Sequence, residues 1–183
     1  MKTDPKYPWL NELKGLPQTI IKAMELWGVA EVVGKGSNKT IVGWRDELNQ
    51  VGVKVSGFSD DDIAWCGLFA AIVCYRRKGL ATEVVKDPLW ARNWANYGTK
   101  AEKPSLGDIL VFKRGKGGHV AFYIAEDETT YHILGGNQGN KVSIVRIEKD
   151  RLLAARRPRY ATIPSAVKPY LVAASGRISN NEA

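Results

Sequence analysis

The apolar positions of this chain change their period near residue 106. Before it they recur at helical spacing, and after it they come in short runs divided by turn residues. The longest apolar stretch lies in Asp60 to Gly79, DDDIAWCGLFAAIVCYRRKG, where Ile63 to Tyr75 is broken only by Gly67. At that length it reads as a buried helix, apolar all round and too short to span a bilayer. Asp60, Asp61 and Asp62 suit its N-terminus as caps, while Arg76, Arg77 and Lys78 suit the negative end, with Gly79 as a left-handed stop. Two helices precede it. Pro17 opens the first, with Ile20, Ile21, Met24 and Trp27 on its apolar face, and Asn38 caps the second, which runs through Leu48 with Ile41, Trp44 and Leu48 inward. Asp87-Pro88 opens a further short helix with Trp90 and Trp94; six tryptophans could line a carbohydrate cleft, but these two are read as core.

Beyond Leu106 the strands expected are Asp108 to Phe112, His119 to Ala125, Tyr131 to Leu134, Lys141 to Ile147 and Leu152 to Arg156, divided by RGKGG, EDET and GGNQGN. Helices first and strands later predict an α+β fold, with an antiparallel sheet packed on the central helix. The 183 residues suit one domain: an arm over 1–16 fastened by Tyr7, Trp9 and Leu10, a core over 17–158, and an irregular tail over 159–183 that frays at its end.

Charge widens the picture without choosing a partner. The net charge is +8, part of it in Arg156, Arg157, Arg159, Lys168 and Arg177. That favours an anionic partner such as nucleic acid, an anionic membrane surface or an acidic envelope polymer. No stretch interleaves basic and aromatic residues as a single-strand binder would. The N-terminal MKTDPKYPWLNELKG lacks the apolar core of a signal peptide, so synthesis in the cytoplasm without a leader is expected.

The two cysteines lie on one helix, about 12 Å apart at 1.5 Å per residue, and cannot bridge. Their positions differ. Cys66 falls in the first turn, where the helix favours a thiolate, whereas Cys74 sits mid-helix as a small core residue. There are two histidines. A hairpin turn at Glu126 to Thr129 makes opposed positions sum to about 255 or 256, which sets His119 against Gly136 or Asn137. His132 then faces Tyr123 or Ile124, roughly 13 Å further along, and is read as a surface or structural histidine. Glu31 and Asn38 are also read as structural. A thiol at a helix start, an imidazole and a carboxamide make a cysteine-hydrolase set: Cys66 attacks a carbonyl, His119 holds the thiolate and protonates the leaving amine, and Asn137 orients the ring. The Cys66 amide would receive the oxyanion. No metal motif and no cofactor motif is present: there is no HExxH, and no cysteine pair at zinc spacing.

In that order, AWCGLF, SLGDILVFKRG, GGHVAFYI and LGGNQ resemble the CHAP family, the cysteine, histidine-dependent amidohydrolases/peptidases, and most of all its single-domain bacterial and phage members. The resemblance covers roughly Gly28 to Pro158. It implies a papain-like fold and cleavage of an amide bond in peptidoglycan, with Cys66 matching the nucleophile, His119 the base and Asn137 the third residue. Many members carry a carboxylate at that third place; Asn follows the papain pattern instead. Some CHAP loops hold calcium, but Asp60 to Asp62 are read here as caps on a solvated face.

The reading is therefore a monomeric peptidoglycan amidase or endopeptidase without cofactor or membrane segment. Its expected setting is a phage endolysin that reaches the wall through a membrane lesion, with a secreted toxin as a variant. The rivals are an inactive basic binding or virion-structural protein on the same scaffold, and a nucleic-acid binder supported by charge alone.

Overall fold

A computed structural model describes residues 4–174 and 178–179. Three α-helices precede the sheet: α1 (Gln18–Glu25), α2 (Lys39–Gln50) and α3 (Cys66–Lys78). Asn38 caps α2 as expected, its Oδ1 accepting from the Thr40 amide at 2.8 Å. Gly79 closes α3 in the left-handed conformation, at φ 69°. The start of α3 differs from expectation. It begins at Cys66, after an N-cap Trp65 that gives no side-chain cap, so Asp60 to Asp62 lie outside the helix. Asp61 is used elsewhere: its Oδ2 accepts from the amides of Val32 (3.1 Å) and Asn38 (2.8 Å), tying down the loop before α2.

The sheet has six antiparallel strands in the order β1-β6-β2-β3-β4-β5. They are β1 (Thr99–Lys100), β2 (Ile109–Arg114), β3 (Gly117–Glu126), β4 (Thr130–Gly135), β5 (Ser143–Glu148) and β6 (Leu152–Arg157). The two-residue β1 carries no apolar signal and is invisible to pattern reading. The fold is α+β, consistent with a papain-like arrangement. α3 is buried along nearly its whole length, as its pattern requires. With Trp44, Trp65, Phe69, Val111, Val120, Phe122 and Leu134 it forms the main core. A second apolar cluster, built on Leu110, Phe112, Ala121, Tyr123 and Ile133, fills the other sheet face, so the alternation along β3 is apolar on both sides.

The expected register holds for half of the β3–β4 hairpin. Phe122 faces Leu134 and Tyr123 faces Ile133, and then a bulge shifts the pairing so that His132 meets Ala125 rather than Tyr123 or Ile124. The tail packs more closely than its composition suggests. The Glu126 amide donates to the Tyr170 carbonyl, the Val172 amide donates back to Glu126, and the Tyr170 ring stacks on Trp9 at 4.9 Å. The expected fraying at the end falls largely outside the described residues. Trp94 is fully buried, but Trp90 is 58% exposed, against the expectation that both are core. They do not share a helical face, because the segment Ala91–Asn96 is a 3-10 turn that starts after Trp90.

Candidate active site

Cys66 is the first residue of α3, and His119 is the third of β3. The packing of α3 on the sheet brings them together, and both are almost wholly buried. Burial alone would push the Cys66 thiol up. The nearby His119 ring outweighs it through its polarity and its charge, aided by the Val120 backbone amide and the Arg114 charge, and the thiol lies below its ordinary range. Cys74 is the internal control. Equally buried on the same helix but away from the imidazole, its thiol is pushed up to about 12, first of all by burial. Both cysteines are free.

The ring of His119 is held by Gln138, not Asn137. Nε2 lies 2.9 Å from Gln138 Oε1. The Gln138 amide nitrogen donates to the carbonyls of Ser143 and of Ile133 (3.4 Å), which turns its oxygen toward the ring. The proton of the neutral imidazole therefore sits on Nε2, leaving the lone pair on Nδ1. Nδ1 is buried and has no partner at bonding distance among the described residues. The thiol is near enough to feel the ring without a formed bond, as is common before substrate arrives.

Asn137 misses the ring because β4 ends at Gly135 and the chain then turns sharply. Extending the 122↔134 pairing does set position 137 opposite 119. Yet Asn137 takes a left-handed backbone, φ 54°, which Asn tolerates better than most residues, and this redirects its side chain and brings Gln138 in. The two preceding glycines make room. A Cβ on Gly135 would stand 2.6 Å from Gln138 Oε1, and one on Gly136 would stand 2.6 Å from both the Phe69 Cβ and the Trp65 ring.

Gln138 is itself braced. Its amide donates to the Lys141 carbonyl at 3.0 Å, and Ser143 Oγ donates to its carbonyl at 2.9 Å. The loop before α2 supports this turn from outside: the Glu31 amide donates to Asn140, and Val142 donates to Val29. Glu31 also accepts from Trp65 Nε1 at 2.6 Å, and Asn38 Nδ2 donates to the Ala30 carbonyl. Both residues are thus structural, as expected, and together they tie this loop to Trp65, the N-cap beside Cys66.

His132 is fully buried and both of its nitrogens are occupied, Nδ1 by the Tyr7 hydroxyl (2.7 Å) and Nε2 by Asp127 Oδ2 (2.9 Å). Arg146 completes this network on Asp127 at 2.7 Å. It fastens the arm to the sheet and leaves His132 no free nitrogen for chemistry. Among the described residues, no group of three or more His, Cys, Asp or Glu side chains converges as metal ligands would.

A buried thiol set low by an imidazole, whose far nitrogen is fixed by a carboxamide, is an arrangement for nucleophilic acyl transfer. Residues 58–137 match the protein-family model described as CHAP domain. Over that stretch the chain is similar to a CHAP domain. The match takes in Cys66 and His119 and stops one residue short of Gln138. A CHAP domain implies amidohydrolase or peptidase activity, generally on peptidoglycan. No curated protein matches the chain.

Proposed function

We propose that this protein cleaves an amide bond of peptidoglycan through a Cys66 thiolate, with His119 as acid and base and Gln138 as the residue that orients it. The observation that carries the reading is geometric: Cys66 opens α3 beside the buried His119, whose Nε2 is held 2.9 Å from Gln138 Oε1, and the low-set Cys66 thiol beside the raised Cys74 thiol agrees with it.

Thiolate and imidazolium form when the Cys66 proton moves to His119 Nδ1. The sulfur attacks the amide carbonyl carbon, a C–S bond forms, and the carbonyl oxygen takes the negative charge. The amide of Cys66 receives it, a reading supported by a helix start that no side chain caps. Nδ1 then gives its proton to the leaving nitrogen as the C–N bond breaks, which leaves a thioester and a free amine. Water, losing a proton to Nδ1, attacks the thioester; the C–S bond breaks and the thiolate returns. Throughout, Gln138 Oε1 accepts from Nε2 and holds the ring plane. Being neutral, it fixes the tautomer without adding charge behind the imidazolium.

The substrate bond fits either N-acetylmuramoyl-L-alanine or a stem-peptide amide, because both place the same carbonyl chemistry at the sulfur. The setting we infer is phage lysis, with the protein made in the host cytoplasm and acting on the wall after a membrane lesion opens. Its net charge of +8 supports retention on anionic envelope polymers. Not all of that charge is free for such a role: Arg156 donates to the Tyr97 carbonyl, and Arg157 pairs with buried Asp108. Arg177 lies outside the described residues. No helix among the described residues is long and apolar enough to cross a membrane.

The test is the clearing of a suspension of purified walls. Clearing is expected to stop after alkylation of the protein by iodoacetamide and to continue in the presence of a metal chelator. Clearing that resists alkylation, or that chelation abolishes and a metal restores, would contradict the thiol reading.

A further inference from the structure

Trp90 is the exposed member of the six tryptophans. Trp44, Trp65 and Trp94 are buried, Trp9 and Trp27 are partly covered, and Trp90 is 58% exposed, the one large exposed aromatic among the described residues. An indole left in water forgoes the burial that its size normally commands. Its surroundings place it beside the proposed site.

Gly67 follows Cys66 directly, and Pro88 and Leu89 lie against it. A Cβ on Gly67 would overlap the Pro88 carbonyl oxygen and stand 2.8 Å from that of Leu89. With consecutive Cα atoms 3.8 Å apart, the backbones of Trp90 and Cys66 are separated by about 11 Å at most. On the other side of Trp90, Ala91 and Arg92 lie against Gly118, which precedes His119. A Cβ there would stand 3.1 Å from Arg92 Cγ and 3.5 Å from Ala91 Cβ. The stretch from Pro88 to Arg92 therefore bridges the two elements that carry the thiol and the imidazole, with Trp90 at its outer point.

The bridge is rigidly held. Trp94 Nε1 donates to the Pro88 carbonyl at 2.9 Å, Asn93 Nδ2 donates to the carbonyls of Lys86 and Asp87, and Arg92 Nε donates to the Gly117 carbonyl at 2.8 Å. Asp87 takes a left-handed backbone, φ 49°, to make the turn. A braced backbone with one exposed indole at its point is the form of a preorganised contact surface.

We propose that Trp90 is the platform on which a sugar ring of the glycan strand stacks, setting how the substrate lies at the site formed by Cys66 and His119. The inference rests on the peptidoglycan reading above. A pyranose presents a face of C–H groups that an indole can cover without hydrogen bonds, and the glycan strand is the part of this polymer that runs past every stem peptide. Trp90 is a positioning residue, and its loss is felt in substrate affinity before it is felt in chemistry.

The experiment compares wild type with Trp90→Ala and Trp90→Phe, each shown folded by thermal melting. Calorimetric binding is measured with peptide-free glycan strands and, separately, with the sugar-free stem peptide; neither requires cleavage. Glycan binding is expected to weaken about tenfold or more in Trp90→Ala and to be largely kept in Trp90→Phe. KM for wall fragments should rise in proportion, with kcat less affected and with the rate of Cys66 alkylation unchanged. Wild-type glycan binding in Trp90→Ala, binding of the stem peptide in place of the glycan, or a fall in kcat and alkylation rate without a rise in KM would overturn it. Should the wild-type protein fail to cut walls at all, the peptidoglycan reading fails, and the calorimetry still decides the role of Trp90: loss of glycan binding in Trp90→Ala upholds it, and no glycan binding by wild type overturns it.

Discussion

Cys66→Ser will lower the rate of wall clearing by about a thousandfold or more with the fold retained. The exchange is nearly isosteric, so α3 and its packing stay in place. What changes is acidity. His119 and the Val120 amide hold a thiol below its ordinary range, but the same groups cannot ionise a hydroxyl, whose pKa starts far higher. Cys74→Ser is the matched control and should behave oppositely. Its side chain is fully buried, so a hydroxyl there costs about 1–3 kcal/mol of stability, while turnover below the melting range stays near wild type. Clearing rates and thermal melts of both variants check this. Comparable activity losses in the two, both folded, would contradict the assignment.

The second large effect concerns the ring and its holder. His119→Ala should remove nearly all turnover: the Val120 amide and the Arg114 charge still favour the thiolate, but neither can take the thiol proton and pass it to the leaving amine. The alkylation profile of Cys66 should also move to higher pH, since the ring is what lowers the thiol against its burial. Gln138→Ala keeps both reacting groups but frees the imidazole to rotate, and a loss on the order of ten- to a thousandfold is expected. In the His119→Ala background the same change should cost little, because its partner is gone. Asn137 needs a different control. Its left-handed backbone would strain Ala, so Asn137→Gly is the informative change, and it should stay near wild type. His132→Ala should keep turnover while losing stability, since Tyr7 and Asp127 each lose a buried partner. The rates of the singles and of the His119/Gln138 double variant decide the matter. Multiplying effects, or an Asn137→Gly variant as impaired as Gln138→Ala, would contradict the coupling.

That second experiment turns on a place where the sequence misleads. The period change near residue 106, the buried helix and the Asn38 cap are local signals, and each fixes an element near its observed bounds. Cys66 was legible because a helix start is set by the apolar run that follows it, whatever happens upstream. The cap on that helix was not, since three aspartates beside an apolar run look the same whether they cap it or, as Asp61 does, tie down a loop more than twenty residues away. His119 and its opposition to position 137 were legible from hairpin arithmetic. The arithmetic assumes that the strand continues, and β4 stops two residues short. A one-residue offset in a strand reverses the face, and here a left-handed Asn has a comparable effect by directing Gln138 at the ring. The run LGGNQG did carry a warning: two glycines before Asn mark a turn as readily as a strand end. Trp90 was unreadable for a related reason, since its exposure depends on whether residues 87–94 form an α-helix or the tighter turn that packing on Gly67 and Gly118 imposes.

The central claim is that a thiol at position 66 opens an amide bond in the wall, and the most direct measurement is mass spectrometry of the soluble fragments, with their new termini counted. Wild-type digestion should release one new amine for each bond cut, no new reducing sugar ends, and a mass gain of one water per cut, with none of these in Cys66→Ser. New reducing ends without new amines, or the same fragments from Cys66→Ser, would contradict it.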